Sequence, residues 1–572
     1  MDNDRNTMQQ NIFFLKPKVI FIFILSVFFL SGLLLLEGYQ YQINADGVSY
    51  LAIAQKYQRG DFRDAINGYW GPLFSWLLVP ILFFGSPPLL AAKILSLLIG
   101  LATLIGIRSL SYRFEISELH RNLMLLSLIP VILFFAFCVI TPDLLILGVL
   151  IYYLTVIFDS AYRRDKNKGA LCGALGSFAY FAKSFGFPFF IAHFLCFNCW
   201  HYLQSATSVE KKIVLQNFTS ALAVFGLLSG SWIYLLSHKY QHLTFSTSAT
   251  YAFTLLDSQL SSFAVSKPGL LPPPNNTAAS AWEDPSFKKS AIQDQTASSN
   301  DPAESHSILS PSAHIKLIDR VRHNAPTLQK HLQYFSVFSS IIILAAFLSC
   351  LRLAKIKPSP GGLYALATLA IYCGGYMLIF IEARYIWIAW ILIVLMGFHL
   401  FSRLSRPALA IKIGVMIILL GFVLSYGQKP AKFLANNLHT GKNLYLLSKQ
   451  LKEHYDIHGN IASNDHWVSL IGLAFYNNYK YFGRVGENLT FEELQHELDD
   501  NDIDYYFVMS PQLKFLLKRG NTASKRDQDN FAHDDFNSSQ RDMHDFFSKY
   551  KEITQGKISG LRIYSLKNSE KH

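Results

Sequence analysis

The chain has 572 residues, 51% of them hydrophobic and 15% aromatic, with only 16% charged. Soluble proteins average about a quarter charged residues, so an ordinary water-soluble globule is excluded. The formal net charge of +12 does not indicate nucleic acid, because the basic residues sit in short loops between apolar runs, the pattern of membrane topology.

Lys16 and Lys18 precede an apolar run at 19–36, long enough to cross a bilayer. No small-residue cleavage site follows it, so the expectation is an uncleaved first helix rather than a signal peptide. Further runs at 89–107, 122–140, 142–158, 170–184, 185–203, 213–236, 335–351, 363–381, 385–400 and 409–426 bring the expected spans to about eleven. With a cytoplasmic N-terminus, the loops on that side are basic, from Arg108, Arg113 and Arg121 through Arg163 and Arg164 to Arg403 and Arg406. The short loops on the other face hold few Lys or Arg, as the positive-inside rule requires.

Segment 71–85, GPLFSWLLVPILFFG, is apolar enough to resemble a span. If it crossed, every later basic loop would change sides, and it is short with an internal Pro80. It is therefore expected to lie in the outer interface. The loop 37–88 becomes a structured outer element with helices near 47–59 and 72–84. A second outer loop, 237–334, is rich in Ser, Thr, Pro and Asn and contains GLLPPPNNTAASAWEDPS at 269–286; its middle, near 289–312, reads as flexible.

After the last span, residues 427–572 suggest helices at 443–456, 466–478 and 490–501, the last opened by a capping box of Thr490 and Glu493. Short β-like runs occur at 479–485, 503–508 and 560–566. The fold class expected is thus a polytopic α-helical membrane protein, 1–426, with a small extracytoplasmic α/β domain, 427–572.

All six cysteines fall inside or beside apolar runs. Cys196 and Cys199 form a single CxxC, which is weak evidence for metal or redox chemistry and is read as a pair of plain buried small residues. No P-loop, GxGxxG or HExxH occurs. The DxD-like triplets at Asp502–Asp504 and Asp527–Asp529 lie in the terminal domain, and the first runs straight into the apolar YYFV, against a sugar-nucleotide role.

Ionisable side chains at membrane boundaries are costly to desolvate, so each invites a functional and a structural reading. Asp46, just outside the first span, suits a general base for an acceptor hydroxyl, and equally suits a helix N-cap before VSYLAIA. Asp143, after Pro142, suits the first turn of a helix, yet the short loop holds it at the membrane face. The two acids could meet as an acid/base pair or hold a divalent metal such as magnesium or manganese. Lys183 in FAYFAKSFGFPFF, and Glu382, Arg384 and Tyr385 in IFIEARYIWIAW, fall on the same side. A snorkelling lysine and a local Glu–Arg pair are the structural readings; cations that hold a lipid phosphate are the functional one.

Taken in order, DGVSYLAIAQKYQRGDF from Asp46, GYWGPLFSWLL (68–78), TPDLL (141–145), GALGSFAYFAKS (173–184) and EARYIW (382–387) resemble the GT-C glycosyltransferases. The nearest likeness is to the bacterial branch related to protein O-mannosyltransferases and the lipid A aminoarabinose transferase, over roughly residues 15–400. The resemblance implies a bacterial inner-membrane enzyme with an outward-facing site. It implies a donor sugar on a polyprenyl phosphate and a glycan, lipid or protein acceptor among the membrane lipids. By resemblance, Asp46 is the base of an inverting transfer, Asp143 assists the acceptor or a metal, and Lys183 and Arg384 neutralise the departing lipid phosphate. The alternative is a transporter or flippase of lipid-linked glycans. Transporters place their ionisable groups near the midplane, often within internal repeats, whereas here the acids are peripheral and no repeat is visible. A non-catalytic envelope protein is the third reading; it predicts that Asp46 and Asp143 are dispensable.

Overall fold

The computed structural model describes residues 17–248, 311–351, 360–404, 409–464, 468–484, 490–510 and 546–567, together with Leu513 and Leu517. It is mostly helical, and a helix lies over each of the eleven apolar runs. Among the described residues, five helices are long and apolar enough to cross a bilayer alone: Pro17–Tyr39, Pro88–Phe114, Glu118–Phe137, Ser208–Tyr240 and Ala383–Arg403. The chain is an integral, multi-pass membrane protein. Burial separates rim from centre. Only 17% of the apolar window of Pro17–Tyr39 is buried inside the protein, against 89% for Ala383–Arg403. The first therefore offers Ile22 and Leu34 to lipid, while the second forms the heart of the bundle.

Close helix packing follows from small residues, which let backbones approach where lipid supplies no hydrophobic drive. Gly169 and Gly173 face the Ser208–Tyr240 helix, where an added Cβ would fall 2.1 Å from the Asn217 carbonyl oxygen and 2.3 Å from that of Ala221. Neither glycine tolerates a side chain without moving a helix.

The segment 37–88, expected as an outer loop, contains helices Ala45–Arg59 and Pro72–Phe83. The second has 12 residues, with Pro80 inside it. At 1.5 Å per residue it extends about 18 Å, too short to span a bilayer core. The two helices pack together, and the Ser75 hydroxyl donates to the Tyr50 carbonyl at 2.9 Å. In the loop 237–334 the sequence suggested no helix, but Pro311–Leu332 is one. Its Asn324 amide donates to the Met377 and Ile379 carbonyls and so ties it to the helix Pro360–Met377. The Pro-rich stretch 269–286 and the segment 289–310 lie outside the described residues.

The terminal region has helices Lys442–His454, Val468–Asn477 and Phe491–Asp500, the last with the expected reciprocal Thr490–Glu493 cap. Five strands, β1 (Asn460–Ser463), β2 (Lys480–Arg484), β3 (Tyr505–Met509), β4 (Lys551–Glu552) and β5 (Leu561–Ser565), form one sheet in the order β2-β1-β3-β5-β4. The first three in that order are parallel; β5 pairs antiparallel with β3, and β4 antiparallel with β5. Neither β1 nor β4 falls in a β-like run expected from the sequence. The core of this unit extends into helix Ala45–Arg59, since Val48 is buried among Leu444, Leu447, Ile461 and Leu470.

Two sequence readings are settled by these contacts. Asp504 is structural: its carboxylate accepts from the Asn460 N–H at 2.7 Å at the start of β1 and pairs with Lys567. Asp527–Asp529 lies outside the described residues. The reading of Cys196 and Cys199 as buried is corrected. Both are free thiols on the exposed face of Gly186–Leu203, where a small, weakly polar side chain suits a lipid-facing position.

Candidate active site

Two chain segments bring the acids together. The Ala45–Arg59 helix is N-capped by Asn44 rather than by Asp46, which corrects one of the two readings of that acid. The Asn44 amide leaves its own helix and reads the backbone of Ile140, accepting from its N–H at 2.9 Å and donating to its carbonyl at 3.4 Å. Asp46 then sits in the first turn with its carboxylate free to face inward. Three residues beyond Ile140, the helix Asp143–Ile157 begins at Asp143, with Pro142 at its N-cap. Asp143 is 3% exposed, and the Thr141 hydroxyl donates to its Oδ2 at 2.7 Å.

The cations come from two other places. Lys183 is the C-cap of helix Lys168–Ala182, and it adopts an extended conformation that turns it away from the helix axis. Its Nζ donates to Asp143 Oδ1 at 2.6 Å and lies 3.5 Å from the ring centroid of Tyr385. Arg384 enters on the 3-10 turn Ala383–Ile386, N-capped by Glu382. Its guanidinium reaches Asp46 at 2.5 Å, Glu382 at 2.6 Å and Asp143 at 3.9 Å. All six residues singled out from the sequence thus join one chain of contacts: Asp46, Arg384, Glu382, Asp143, Lys183 and Tyr385. The local Glu382–Arg384 pair is also real, but the guanidinium serves three carboxylates.

Aromatic rings frame the cluster. Tyr385 stacks on Tyr376 at 5.2 Å between centroids, and Tyr376 stacks on Phe185 at 3.8 Å. The Tyr50 phenol, one helical turn after Asp46, is pushed well above its ordinary pKa by burial and then by the charges of Asp46 and Asp143. It stays a neutral phenol at working pH, which leaves the carboxylates as the proton acceptors. A divalent ion bridging Asp46 and Asp143 does not fit this arrangement, because the Arg384 guanidinium lies between the two carboxylates. Among the described residues no three His, Cys, Asp or Glu side chains converge as a metal site.

Sequence reasoning passed over the residues that hold the acids in place. Lys93, fully buried in the helix Pro88–Ser111, donates to the Phe137 carbonyl at 2.9 Å and to Gln42 Oε1 at 3.1 Å. Gln42 in turn donates to the Cys138 carbonyl at 3.0 Å. Together with Asn44, these contacts weld the segment entering Asp46 to the segment entering Asp143. The available signal was a lone cation early in an apolar run, because a buried amine needs acceptors close by.

No protein-family model matches the sequence, and no curated protein matches it. Among solved structures, the oligosaccharyltransferase of Archaeoglobus fulgidus in complex with zinc and sulfate matches with a TM-score of 0.53 at 11% identity, over 85% of this chain and 67% of that one. The same protein tethered to an acceptor peptide containing the NVT sequon gives 0.54 at 11% identity, over 85% and 69%. An archaeal oligosaccharyltransferase from that organism with an inhibitory peptide and a dolichol-phosphate gives 0.51 at 12% identity, over 85% and 69%. At such identities the likeness is one of fold alone: the chain shares the fold of these oligosaccharyltransferase structures.

Proposed function

We propose that the protein is a glycosyltransferase that moves a sugar from a polyprenyl-phosphate carrier to an acceptor hydroxyl at the outer face of a bacterial inner membrane. The observation that carries this reading is the pairing of two boundary carboxylates with two boundary cations, Lys183 and Arg384, in one cluster. In the resting arrangement each cation is held by a carboxylate. A donor phosphate competes for the same cations, as bidentate guanidinium–phosphate pairing favours. Once Arg384 turns to the phosphate, the Asp46 oxygen is released to accept a proton.

The step balances as follows. The acceptor O–H proton passes to Asp46, and the acceptor oxygen forms a bond to the anomeric carbon. The bond from that carbon to the phosphate oxygen breaks, its electron pair goes to the phosphate, and attack from the opposite side inverts the centre. Arg384 and Lys183 stabilise the growing phosphate charge, an effect typically worth several kcal/mol. Asp143 orients Lys183 and the acceptor, while Glu382 and Tyr385 hold the two cations in line. In this reading about eleven spans thread residues 1–426, with loops 37–88 and 237–334 and the terminal region 427–572 outside.

The experiment is sugar release from a panel of radiolabelled polyprenyl-phosphate sugars by purified protein in liposomes, wild type against Asp46→Asn. Transfer or slow hydrolysis that is lost in the folded variant supports the reading. Equal turnover removes Asp46 from the chemistry, and donor movement across the bilayer without turnover replaces the enzyme with a transporter.

A further inference from the structure

Three lysines share one corner of the rim on the face that bears the charged cluster. Lys330 lies in the last turn of helix Pro311–Leu332, and Lys429 and Lys432 lie one turn apart near the end of helix Leu409–Asn436. The Lys429 amine donates to the Tyr334 carbonyl and stands 5.3 Å from the centroid of that ring. Lys330 precedes Tyr334 by four residues, a reach of at most about 14 Å. All three side chains are exposed. On the opposite face the cations have carboxylates: Arg108 pairs with Glu118, Arg113 and Lys168 with Asp159, and Arg403 with Glu115. At this corner there is none to use, because no Asp or Glu occurs in 320–381 or in 383–452. Among the described residues none of the three lysines forms an ion pair.

Two apolar strips run up to these amines. Residues 333–337 lead from Pro311–Leu332 straight into helix Phe338–Cys350, which exposes Ile341, Leu344 and Phe347 at intervals of three. Helix Leu409–Asn436 exposes Ile417, Leu420 and Leu424 at intervals of three and four. Such spacing puts each set on one face of its helix. The two helices are pinned together at the end that bears the lysines, where the Ser425 hydroxyl donates to Ser336 Oγ at 2.7 Å and the Ser339 and Tyr426 hydroxyls bond at 2.6 Å. Tyr334 stacks on Trp390 with centroids 5.7 Å apart, an aromatic pair of the kind that marks headgroup level in a bilayer. A snorkelling lysine accounts for one such amine. It does not account for three without a carboxylate, gathered about one carbonyl above two lipid-facing strips.

We propose that this rim binds the headgroup of an anionic phospholipid whose acyl chains lie along the two strips. The argument is one of charge complementarity: unpaired ammonium groups at the membrane surface attract anionic headgroups, and the contribution grows with each cation. The site is separate from the charged cluster, in which Lys183 and Arg384 are already held by carboxylates. It nevertheless bears on that cluster. On helix Pro311–Leu332 the Asn324 amide donates to the Met377 carbonyl at 3.0 Å, and the His331 carbonyl accepts from the Trp390 indole N–H at 2.9 Å. These two anchors flank the turn that carries Glu382 and Arg384. A headgroup that holds the end of this helix therefore steadies that turn. This last consequence rests on the transferase reading, whereas the lipid site does not.

The probe is phosphatidylglycerol with a diazirine on one acyl chain, photolysed with the full-length protein in phosphatidylcholine nanodiscs. Label is expected on peptides of Phe338–Cys350 and Leu409–Asn436, removed by unlabelled phosphatidylglycerol and not by added phosphatidylcholine. One lysine at an anionic surface corresponds to about fivefold in affinity. Lys330→Gln combined with Lys432→Gln should therefore raise the competing concentration about 25-fold, and the paired Arg substitutions should restore it. Lys211→Gln with Lys212→Gln removes the same charge from the opposite face and should change nothing. Because Lys330 and Lys432 are exposed, the double variant should keep the wild-type unfolding midpoint, which is measured alongside. Equal competition by phosphatidylcholine, label indifferent to the double variant, or an equal loss in the Lys211 and Lys212 variant overturns the proposal. Competition by polyprenyl phosphate at lower concentrations than phosphatidylglycerol would make the rim part of the donor site, and competition by a soluble polyanion alone would give it a soluble partner; either result sinks the assignment. No arm requires sugar transfer, so these outcomes stand apart from those of the transfer assay.

Discussion

Lys93→Met is the most informative single change outside the acids themselves. The methionine matches the length and volume of lysine but has no donor. It leaves the Phe137 carbonyl, which is buried, and Gln42 Oε1, which is half-buried, without the amine. A buried acceptor that loses its donor costs about 1–3 kcal/mol, and partial hydration puts Gln42 at the low end. The fully buried amine no longer needs desolvating, which offsets part of the sum. A net loss of about 1–3 kcal/mol remains. For a chain of this size that corresponds to a fall in unfolding midpoint of roughly 1–3 °C, read from tryptophan emission during heating in detergent. Lys93→Arg, which keeps a donor, should fall by less. A midpoint for Lys93→Met equal to or above wild type would refute the view that this amine welds the two acid-bearing segments.

Asp143→Asn and Lys183→Met should each lower the unfolding midpoint, because removal of one partner from a buried pair costs about 3–5 kcal/mol. The double variant should lose less than the sum, with a coupling of about 0.5–3 kcal/mol; additive losses would mean that the contact contributes nothing. On the opposite face, burial alone would raise the Asp159 pKa, but Lys168, the Ala161 N–H and Arg113 outweigh it and hold the carboxyl below its ordinary value. A carboxyl lowered by folding stabilises the protein above its unfolded pKa of about 4, and the contribution fades as pH falls through the lower folded value. Asp159→Asn should therefore lie about 1–3 kcal/mol below wild type near pH 7 and converge with it under acid; a constant gap across that range would remove the ionised carboxylate from the account.

What the sequence revealed follows the range of the forces involved. Apolar runs report their own solvent, so a helix was visible at each of the eleven runs. Boundary charges are rare enough in such runs that Asp46, Asp143, Lys183 and Arg384 stood out without a partner being known. Who faces whom was not visible. The two readings of Asp46 were parted only by Asn44, which takes the cap and leaves the acid for Arg384. Strand β1, NIAS, carries no alternation of its own and exists because β2 and β3 flank it on both sides. Lys93 was hidden for the same reason: its meaning lies in Gln42 and Phe137, which reach it only through the fold. Helix Pro311–Leu332 sits in a loop whose composition argues for irregularity, and its anchor is an asparagine bonded to carbonyls on another helix.

The burial of Val48 in the core of the terminal unit has a consequence for how the molecule is made. The turn that bears Asp46 leaves the ribosome early, yet the side chains that enclose Val48, from Leu444 onward, follow about 400 residues later. At typical elongation rates of about 5–20 residues per second that wait is roughly 20–80 s. Through that interval the acid-bearing helix is without the side chains that enclose Val48, and for most of it Asp46 also lacks the guanidinium of Arg384. Completion of the charged cluster is thus a late event of synthesis, and the nascent protein lacks it while its helices are still being inserted.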